Sequence, residues 1–418
     1  MSKFLFKTSR KINFSRSPSI FEICILCRLN NVIKLMERMV QLRLISFLTK
    51  HKIISDYQSG FRLNRQTMDN LVYFCQKTLQ AFNKNQIVCG VIFDIQKAFD
   101  KVWLTGLFYK LYTIGTPKKL GNWIRNFLTN RKFYVSVENK ESSQLNINAG
   151  VPQGAILSPT LFSIFINDII SLNQPPNYNI TSLLFADDLF AFNIENNINR
   201  LNIQMQRYLD HLQIWLNSWR LNISPQKCSF TIYSKGRAPK RFRDNQFQLN
   251  INNEQIPINN SPKYLGVIID RQLNFSEHVE LIRAKCLKLS NVIKCLSYKN
   301  WSLSAKQQLI IYQSLIRSCI EYAPQLMLLH ERNLKRLEGI QYHVLKVIYK
   351  EKGQCSSQYL HDLSGLETIR ERLFALSHNY LEKAIRKNNT LILKLLSDTD
   401  QEDLEDTILD QIGIKTLI

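Results

Sequence analysis

Three aspartates lie in or at the end of apolar segments of this sequence. Asp187 and Asp188 are adjacent within LLFADDLFAF (183–192), and Asp94 ends the segment IVCGVIFD (87–94). An unpaired carboxylate is costly to bury, and neighbouring carboxylates repel each other. If the strand that ends at Asp94 pairs beside a hairpin over 183–192, the three acids meet at one edge of a sheet.

A divalent cation would remove the repulsion within such a cluster. Because the donors are carboxylate oxygens, the cluster favours a hard ion, Mg²⁺ or Mn²⁺. Two such ions about 3.5–4 Å apart serve phosphoryl and nucleotidyl transfer, in which one activates a 3′-hydroxyl and the other holds the triphosphate. The alternative is that Asp187 and Asp188 only form a polar hairpin turn.

Composition and charge favour a globular protein with a polyanionic partner. The 418 residues are 45% hydrophobic, which suits two or three subdomains. The 55 Lys and Arg outnumber the 33 Asp and Glu, and the net charge of +22 favours nucleic acid over an anionic membrane surface. No apolar run reaches the roughly 18–20 residues of a membrane span, so no membrane partner is expected.

The N-terminus and the cysteines give no further site. MSKFLFKTSRKINFSRSPS is basic but lacks the apolar core of a secretory signal, and a mitochondrial transit peptide is the alternative. Cys24 and Cys27 have C-x-x-C spacing without a second ligand pair at a suitable distance for zinc. We interpret the nine cysteines as ordinary residues of a reducing compartment.

Apolar periodicity predicts an α+β fold, because helices come first, a β-rich middle follows, and the C-terminal third is helical. Helices are predicted over 26–50, from after 67 to Phe82, over 97–111, from Ser158, over 197–220 and from about 275 onward. Strands or hairpins are predicted over 87–94, 131–150, 181–194, 228–234 and 261–270. Ser158 is the expected cap of its helix, and the acidic segment 398–406 is expected to be a solvated linker or helix face.

Several segments, in their order and spacing, resemble reverse transcriptases of the non-LTR retrotransposon class, and most of all jockey-like elements. The segments are GFRLNRQTMDNL (60–71), FDIQKAFDKVW (93–103), AGVPQGAILSPTLFSIFINDI (149–169), FADD (185–188), WLNSWRLNISPQKC (215–228), KYLGVIID (263–270) and LSGLETIRERLF (363–374). The resemblance covers roughly residues 29–385.

The resemblance implies a two-metal site. Asp94 and Asp187 would ligate both Mg²⁺ (or Mn²⁺) ions, Asp188 would assist, and the backbone carbonyl of Ile95 would be a further ligand. Lys227 occupies the position whose residue is proposed to protonate pyrophosphate, and the alternative is a surface lysine before a strand.

The resemblance also implies a dNTP site. Arg62 and Arg65 would grip the triphosphate, as guanidinium groups can, and the alternative is that they are solvated loop charges. Phe99 would be the steric gate that excludes a 2′-hydroxyl, and the alternative is a core aromatic. Gln153 would contact the incoming nucleotide, and Gly154 would let the backbone approach it.

Primer and template contacts are implied further along the chain. Tyr264, Leu265 and Gly266 would form the hairpin that grips the primer end. Basic residues of the C-terminal helices would track phosphates without sequence preference. These residues are Arg283, Lys285, Lys288, Lys294, Lys299, Lys306 and Arg317.

The resemblance implies a right-hand polymerase. Its expected parts are an unmatched segment 1–25, fingers and palm over 26–270, a helical thumb over 271–350 and a helical C-terminal extension with an acidic linker over 351–418. Fingers would come from the N-terminal region and 105–148, and the palm from 87–104 and 149–270.

The predicted function is that of an RNA-directed DNA polymerase acting with an RNA template, a DNA primer or target and dNTPs. The sequence does not indicate an oligomeric state. A catalytically inactive relic that keeps the fold is the first alternative, because Cys24–Cys27 stand where the family carries an Arg-Pro-Ile-Ser-type segment. An upstream endonuclease domain is not seen, so a truncated copy is expected. An RNA-templated RNA polymerase is the second alternative, and a bulky Phe99 argues against it. The sequence is compatible with a location in the nucleus or in the cytoplasm, and KGRAPKRFR (235–243) can be interpreted as a nuclear import signal.

Overall fold

The computed structural model confirms an α+β fold. It describes residues 5–8, 31–137, 140–173, 180–237, 239, 242, 246–298, 303–398 and 407–412. The helices of the first part are α1 (Asn31–Lys50), α2 (Thr67–Asn83), α3 (Leu104–Thr113), α4 (Lys118–Leu128), α5 (Ser158–Ile166) and α6 (Ile198–Ser218). The strands are β1 (Leu5–Thr8), β2 (Ile87–Phe93), β3 (Arg131–Val137), β4 (Lys140–Glu141), β5 (Leu145–Ile147), β6 (Ile180–Phe185), β7 (Asp188–Glu195), β8 (Ser229–Tyr233), β9 (Asn250–Ile251), β10 (Glu254–Gln255), β11 (Lys263–Tyr264) and β12 (Val267–Ile268).

The central feature is a four-stranded antiparallel sheet in the order β6-β7-β2-β8. Successive residues of β7 point to opposite faces, as in any strand. Phe190 and Phe192 lie in a core with α2, whereas Leu189 and Ala191 lie in a core with α3, α5 and α6. Both faces of the sheet are therefore covered, which explains why its strands are apolar on both sides.

The predicted hairpin over 131–150 is present, since β3 pairs antiparallel with β4 and β5, and β1 adds to it in parallel. The helix predicted over 97–111 begins only at Leu104, so the prediction was wrong for the first turns. The carbonyls of Phe99 and Val102 accept hydrogen bonds from the amides of Val151 and Gly150, at 2.9 and 2.8 Å. Pairing with a distant loop has replaced the local helical bonds of these carbonyls.

The C-terminal part is helical, as predicted. It consists of α7 (Ser276–Tyr298), α8 (Ala305–Tyr312), a π-helical turn (Gln313–Arg317), α9 (Ser318–Ile320), α10 (Pro324–Met327), α11 (Glu331–Tyr349), α12 (Ser357–Ser364), α13 (Ile369–Arg386), α14 (Thr390–Ser397) and α15 (Ile408–Gln411). Among the described helices, none is long and apolar enough to cross a membrane.

One large core joins these helices to α2 and to the sheet. It crosses the limits predicted for palm, thumb and extension, which stay predictions. The basic residues predicted for phosphate contact are exposed on α7 at positions such as Arg283, Lys285 and Lys288. Arg317 is an exception, because it is buried and its guanidinium lies 3.0 Å from Glu321. Lys299 and most of the acidic segment 398–406 lie outside the described residues.

The loop over residues 55–66 packs tightly on the hairpin of β6 and β7. The Ser59 amide donates to the Leu184 carbonyl and the Leu184 amide donates to the Tyr57 carbonyl, both at 2.9 Å. A side chain at Gly60 would place its Cβ 2.1 Å from the Ala186 nitrogen. Only glycine allows this approach of the two backbones.

We expect Gly60→Ala to lower the free energy of unfolding by about 1–3 kcal/mol, because the added methyl has to displace backbone rather than a flexible side chain. Gly339→Ala is the control, since that position lies within α11 and a Cβ there meets nothing within 4 Å. Its replacement should be neutral or stabilise by up to about 1 kcal/mol. Urea denaturation measures both, and equal stability of the two variants would contradict the close packing.

Candidate active site

The hairpin between β6 and β7 presents the two adjacent aspartates. Phe185 pairs with Asp188, so the connection has only two residues, Ala186 and Asp187. Ala186 has a φ of 61°, and of the two central residues it alone has a positive φ, as in a type II′ turn. Such turns usually have glycine there, so Ala186 is held in an unfavourable conformation at the site.

Asp94 lies next to this turn. Phe93 at the end of β2 pairs with Leu189 of β7, so the residue after Phe93 lies across from the residue before Leu189, which is Asp188. The structure therefore brings Asp94, Asp187 and Asp188 together at one end of the central sheet, as the sequence predicts.

The carboxylates disfavour one another's ionisation. Burial raises the pKa of Asp187, and the charge of Asp94 raises it further against the lowering effect of a backbone hydrogen bond. Burial also raises the pKa of Asp188, with added contributions from the charges of Asp187 and Asp94. Lys227 offsets part of this charge, since its Nζ lies 3.9 Å from Asp94 Oδ2, but the lysine side chain is 74% exposed.

A divalent cation fits these donors chemically. Within the described part of the chain, neither Asp187 nor Asp188 forms an ion pair with Lys or Arg, so negative charge is left uncompensated. Oxygen donors of this kind suit Mg²⁺ or Mn²⁺. No three acidic, histidine or cysteine side chains among the described residues are already arranged to hold an ion. The ligand roles of Asp94, Asp187, Asp188 and the Ile95 carbonyl therefore stay predictions.

A neighbouring segment fixes the backbone at Asp94. The Ser224 amide donates to the Asp94 carbonyl at 3.1 Å, and the Asp94 amide donates to Cys228 Sγ at 3.5 Å. The Gln96 side chain adds a 2.8 Å bond to Ser224 Oγ. The segment 224–228 thereby places Lys227 beside Asp94, and neither Gln96 nor Ser224 was predicted as a site residue.

Phe99 is half-buried, and its ring stacks on Phe162 of α5 with centroids 4.4 Å apart. Phe61 meets it edge-on at 6.0 Å. These contacts hold the ring in one position, which both the gate and the core interpretation require. Its role as the gate stays a prediction.

Two glycines and an aspartate shape the loop that carries Gln153. Gly150 and Gly154 have φ values of 80° and 88°, and a Cβ at Gly150 would lie 2.7 Å from the Asp100 carbonyl oxygen. The Gln153 side-chain amide donates to Asp100 Oδ1 at 2.9 Å. Asp100 therefore orients Gln153, a contact that the sequence did not predict.

The predicted capping role of Ser158 was wrong. Its hydroxyl donates instead to the Pro152 carbonyl at 2.7 Å. Glu37 of α1 instead holds the chain just before α5, because its Oε2 accepts from the amides of Ile156 and Leu157 at 2.7 and 3.4 Å. Burial raises the pKa of Glu37, and these two bonds oppose the shift. In the sequence, the only indication of this role of Glu37 was the presence of an acidic residue within an apolar helix.

Arg62 and Arg65 are bonded within the protein. Arg62 donates to the carbonyls of Ser55 and Gln58 at 2.6 and 3.1 Å, and burial lowers its pKa to about 10. The Arg65 side chain is only 4% exposed and lies 3.6 Å from Asp56. Their contact with a triphosphate stays a prediction, and it would require these guanidinium groups to exchange partners.

The predicted primer grip is a tight hairpin. Leu265 and Gly266 connect β11 to β12 and both have positive φ, 44° and 87°, as in a type I′ turn. Tyr264 is buried, its ring lies 4.7 Å from Phe190, and its hydroxyl accepts from Asn70 Nδ2 at 3.3 Å. The hairpin is thus anchored on β7, close to the aspartate turn, while its function stays a prediction.

Comparisons with known proteins agree on one family. The RNA-directed DNA polymerase from the mobile element jockey of Drosophila melanogaster is 29% identical, over 87% of this chain and 39% of the relative. The probable RNA-directed DNA polymerase from the transposon BS of Drosophila melanogaster is 27% identical, over 88% of this chain and 40% of the relative. The RNA-directed DNA polymerase from jockey of Drosophila funebris is 30% identical, over 75% of this chain and 34% of the relative. The chain thus spans about 40% of the length of these relatives or less.

Among solved structures, telomerase from Candida tropicalis with the TWJ fragment of telomeric RNA has a TM-score of 0.42 and 12% identity, over 81% of this chain and 56% of that one. Residues 22–269 match the family described as reverse transcriptase (RNA-dependent DNA polymerase), which is more than half of the chain. The α+β fold with its antiparallel sheet agrees with that match. This chain belongs to the reverse transcriptase (RNA-dependent DNA polymerase) family.

Proposed function

We propose that this chain copies RNA into DNA by adding dNTPs to a primer 3′-hydroxyl, as part of a non-LTR retrotransposon. The observation that carries the proposal is the meeting of Asp94, Asp187 and Asp188 at one end of the sheet in a member of this family. The names of the relatives from jockey and BS support the same activity and the same kind of element.

Family membership implies dependence on divalent metal ions in general. We propose two Mg²⁺ or Mn²⁺ ions, with Asp94 and Asp187 as ligands of both, Asp188 assisting and the Ile95 carbonyl completing the set. Such ions, when bound, lower the pKa of the attacking hydroxyl and neutralise charge on the leaving pyrophosphate. The aspartates contribute by remaining ionised beside the reacting atoms, although burial and mutual repulsion disfavour that state.

The other residues would select and orient the reactants. The fixed ring of Phe99 would clash with a 2′-hydroxyl, and Gln153, oriented by Asp100, would contact the incoming nucleotide. The Lys227 ammonium group, 3.9 Å from Asp94, would donate a proton to pyrophosphate as it leaves. The neighbouring Asp94 carboxylate would keep this ammonium group near the leaving oxygen.

Nucleic acid would be bound mainly through its phosphates. The net charge of +22 and the exposed Arg283, Lys285 and Lys288 of α7 favour a salt-dependent contact without sequence preference. The anchored turn at Leu265 and Gly266 would meet the primer end. RNA template and DNA primer or target are the partners that we propose.

We expect the chain to extend a DNA primer on an RNA template with dNTPs and Mg²⁺, and Asp187→Asn to lower the rate at least about a hundredfold, because a metal ligand is lost. Asp210→Asn is the matched control, since that residue is an exposed aspartate of α6. It should extend primers like the unmodified chain.

Primer extension assays with labelled primer measure these rates, and filter binding measures the affinity for the primer–template. Binding without extension by the unmodified chain would support the inactive alternative instead. Extension that survives Asp187→Asn would contradict the proposed site.

Asp188→Asn should raise the melting temperature at pH 7 in metal-free buffer by about 1–3 °C. The folded-state pKa of Asp188 is raised, so its ionised form lowers stability above that pKa, and this cost vanishes as the pH falls through it. The gain should therefore shrink toward about pH 4. Mg²⁺ should stabilise the unmodified chain more than the variant. A gain that grows as the pH falls would contradict the repulsion.

Replacing Phe99 by Val should raise the incorporation of rNTPs relative to dNTPs by about 10–100-fold, because the ring that meets the 2′-hydroxyl is removed. Phe99→Tyr keeps the ring and should keep the discrimination. Single-nucleotide extension with each nucleotide type measures the ratio of kcat/KM values. If Phe99→Val discriminates as well as the unmodified chain, Phe99 is a core aromatic and not the gate.

A further inference from the structure

The last described helices belong to the same core as the central sheet that carries the three aspartates. Leu391, Ile392 and Leu395 of α14 are fully buried in the cluster that contains Phe74 of α2 and Phe190 of β7. The Tyr380 hydroxyl of α13 also donates to Asp69 Oδ1 of α2 at 2.9 Å. The position of α14 relative to the sheet is therefore fixed by packing, so polar groups at its start can hold other segments in place.

Polar groups at the start of α14 bind the 55–66 loop. Arg65 donates to Asn389 Oδ1, and it also donates to Thr390 Oγ1 at 2.5 Å. The Thr390 hydroxyl in turn donates to Asp56. The first of these pairs lies 324 residues apart in the sequence, so the contact exists only in the folded chain.

A second contact lies one turn further along α14. Lys394 Nζ donates to the Tyr57 hydroxyl at 2.7 Å and lies 5.0 Å from the centre of the Tyr57 ring. The 55–66 loop is thus held at Asp56, Tyr57 and Arg65, that is, near its start and near its end.

The same loop touches the turn that carries Asp187. Gln58 Oε1 accepts from the amides of Gly60 and Ala186 at 2.9 and 3.3 Å, and Gln58 forms a parallel bridge with Leu184. Two steps therefore lead from the C-terminal helix to the residue before Asp187. The first step is α14 to the loop, and the second is the loop to Ala186.

The loop also faces open space beside these contacts. A cavity of about 650 Å³ lies between the loop, helices α1 and α5 and the start of α14, and its lining includes Leu48, Thr160 and Thr390. Close packing is missing there, so the polar contacts of α14 have a larger share in fixing the loop.

We propose that Asn389, Thr390 and Lys394 are positioning residues for the polymerase reaction. They hold the 55–66 loop, and through Gln58 and Gly60 they hold the turn before Asp187. The inference rests on the proposed function, and it gives the C-terminal extension a part in nucleotide addition.

The test is the double variant Thr390→Val/Lys394→Met in the full chain. It removes the bonds of Thr390 with Arg65 and Asp56 and the bond of Lys394 with Tyr57, keeps the side-chain volumes and leaves the Arg65–Asn389 bond in place. Hydrogen exchange of peptides covering 55–66 should become about tenfold faster, since the loop opens more often. The kcat/KM for dNTP should fall about tenfold while the Kd for primer–template stays unchanged, because the turn is misplaced rather than the whole protein unfolded.

Two controls accompany the variant. Thr390→Ser keeps the hydroxyl and should behave like the unmodified chain, and Lys383→Met changes an exposed lysine of α13 that bonds no described side chain. If the double variant does not fold, Lys394→Met alone should show the same two effects to a smaller degree.

Unchanged exchange of the loop would overturn the inference, and so would faster exchange with an unchanged kcat/KM in a chain that polymerises. If the unmodified chain does not extend primers at all, the proposed function fails, whereas the exchange experiment still decides whether α14 holds the loop.

Discussion

Repulsion among three carboxylates at the end of one sheet is the constraint on which the rest of this structure depends. Burial and mutual charge raise the pKa values of Asp187 and Asp188, so the arrangement lowers stability unless a cation compensates it. A protein keeps such a cluster only if the surrounding structure over-determines it. Three features fix the cluster in this way. They are the register of β2 against β7, the two-residue turn at Ala186 and the backbone bonds of Asp94 to the 224–228 segment.

The rigidity of the site comes from a sheet covered on both faces. Alternate residues of β7 enter two separate cores. A shift by one residue would bring the rings of Phe190 and Phe192 into the core that now holds Leu189 and Ala191, and would leave the other core underfilled. One of these cores extends from α2 through the helices after residue 275 to Leu409. The helices of the C-terminal extension are therefore part of the structure that carries the aspartates, in addition to any contact they make with nucleic acid.

The loops near the aspartates are held by buried polar groups from distant parts of the chain. Glu37 accepts from the Ile156 amide just before α5, Arg131 donates to the carbonyls of Ala149 and Gly150, and Asn70 bonds both Leu184 and Tyr264. Each group bonds backbone atoms or a fixed side chain, which makes it specific for one arrangement of the loop. Buried polar bonds of this kind place the residues proposed to contact the nucleotide. The contacts of α14 with the 55–66 loop also join distant parts of the chain, but most of them are exposed.

The sequence by itself determined the strands of the central sheet and most of the helices, because apolar alternation and a short polar turn are local signals, but not β1, β9 or β10. It also placed Asp94, Asp187 and Asp188 at strand ends where pairing would bring them together. It also determined the family, through motifs whose order is written along the chain. Tertiary structure decided the start of α3, the bonds of the segment just before α5 and the partners of Arg65, where the local expectation either failed or was silent. In each case a group far away in sequence supplies the hydrogen bond, as Glu37 does for Ile156 and Asn389 does for Arg65. Spacing in the sequence carries no information about such partners, since they become neighbours only when the sheet and its two cores have formed.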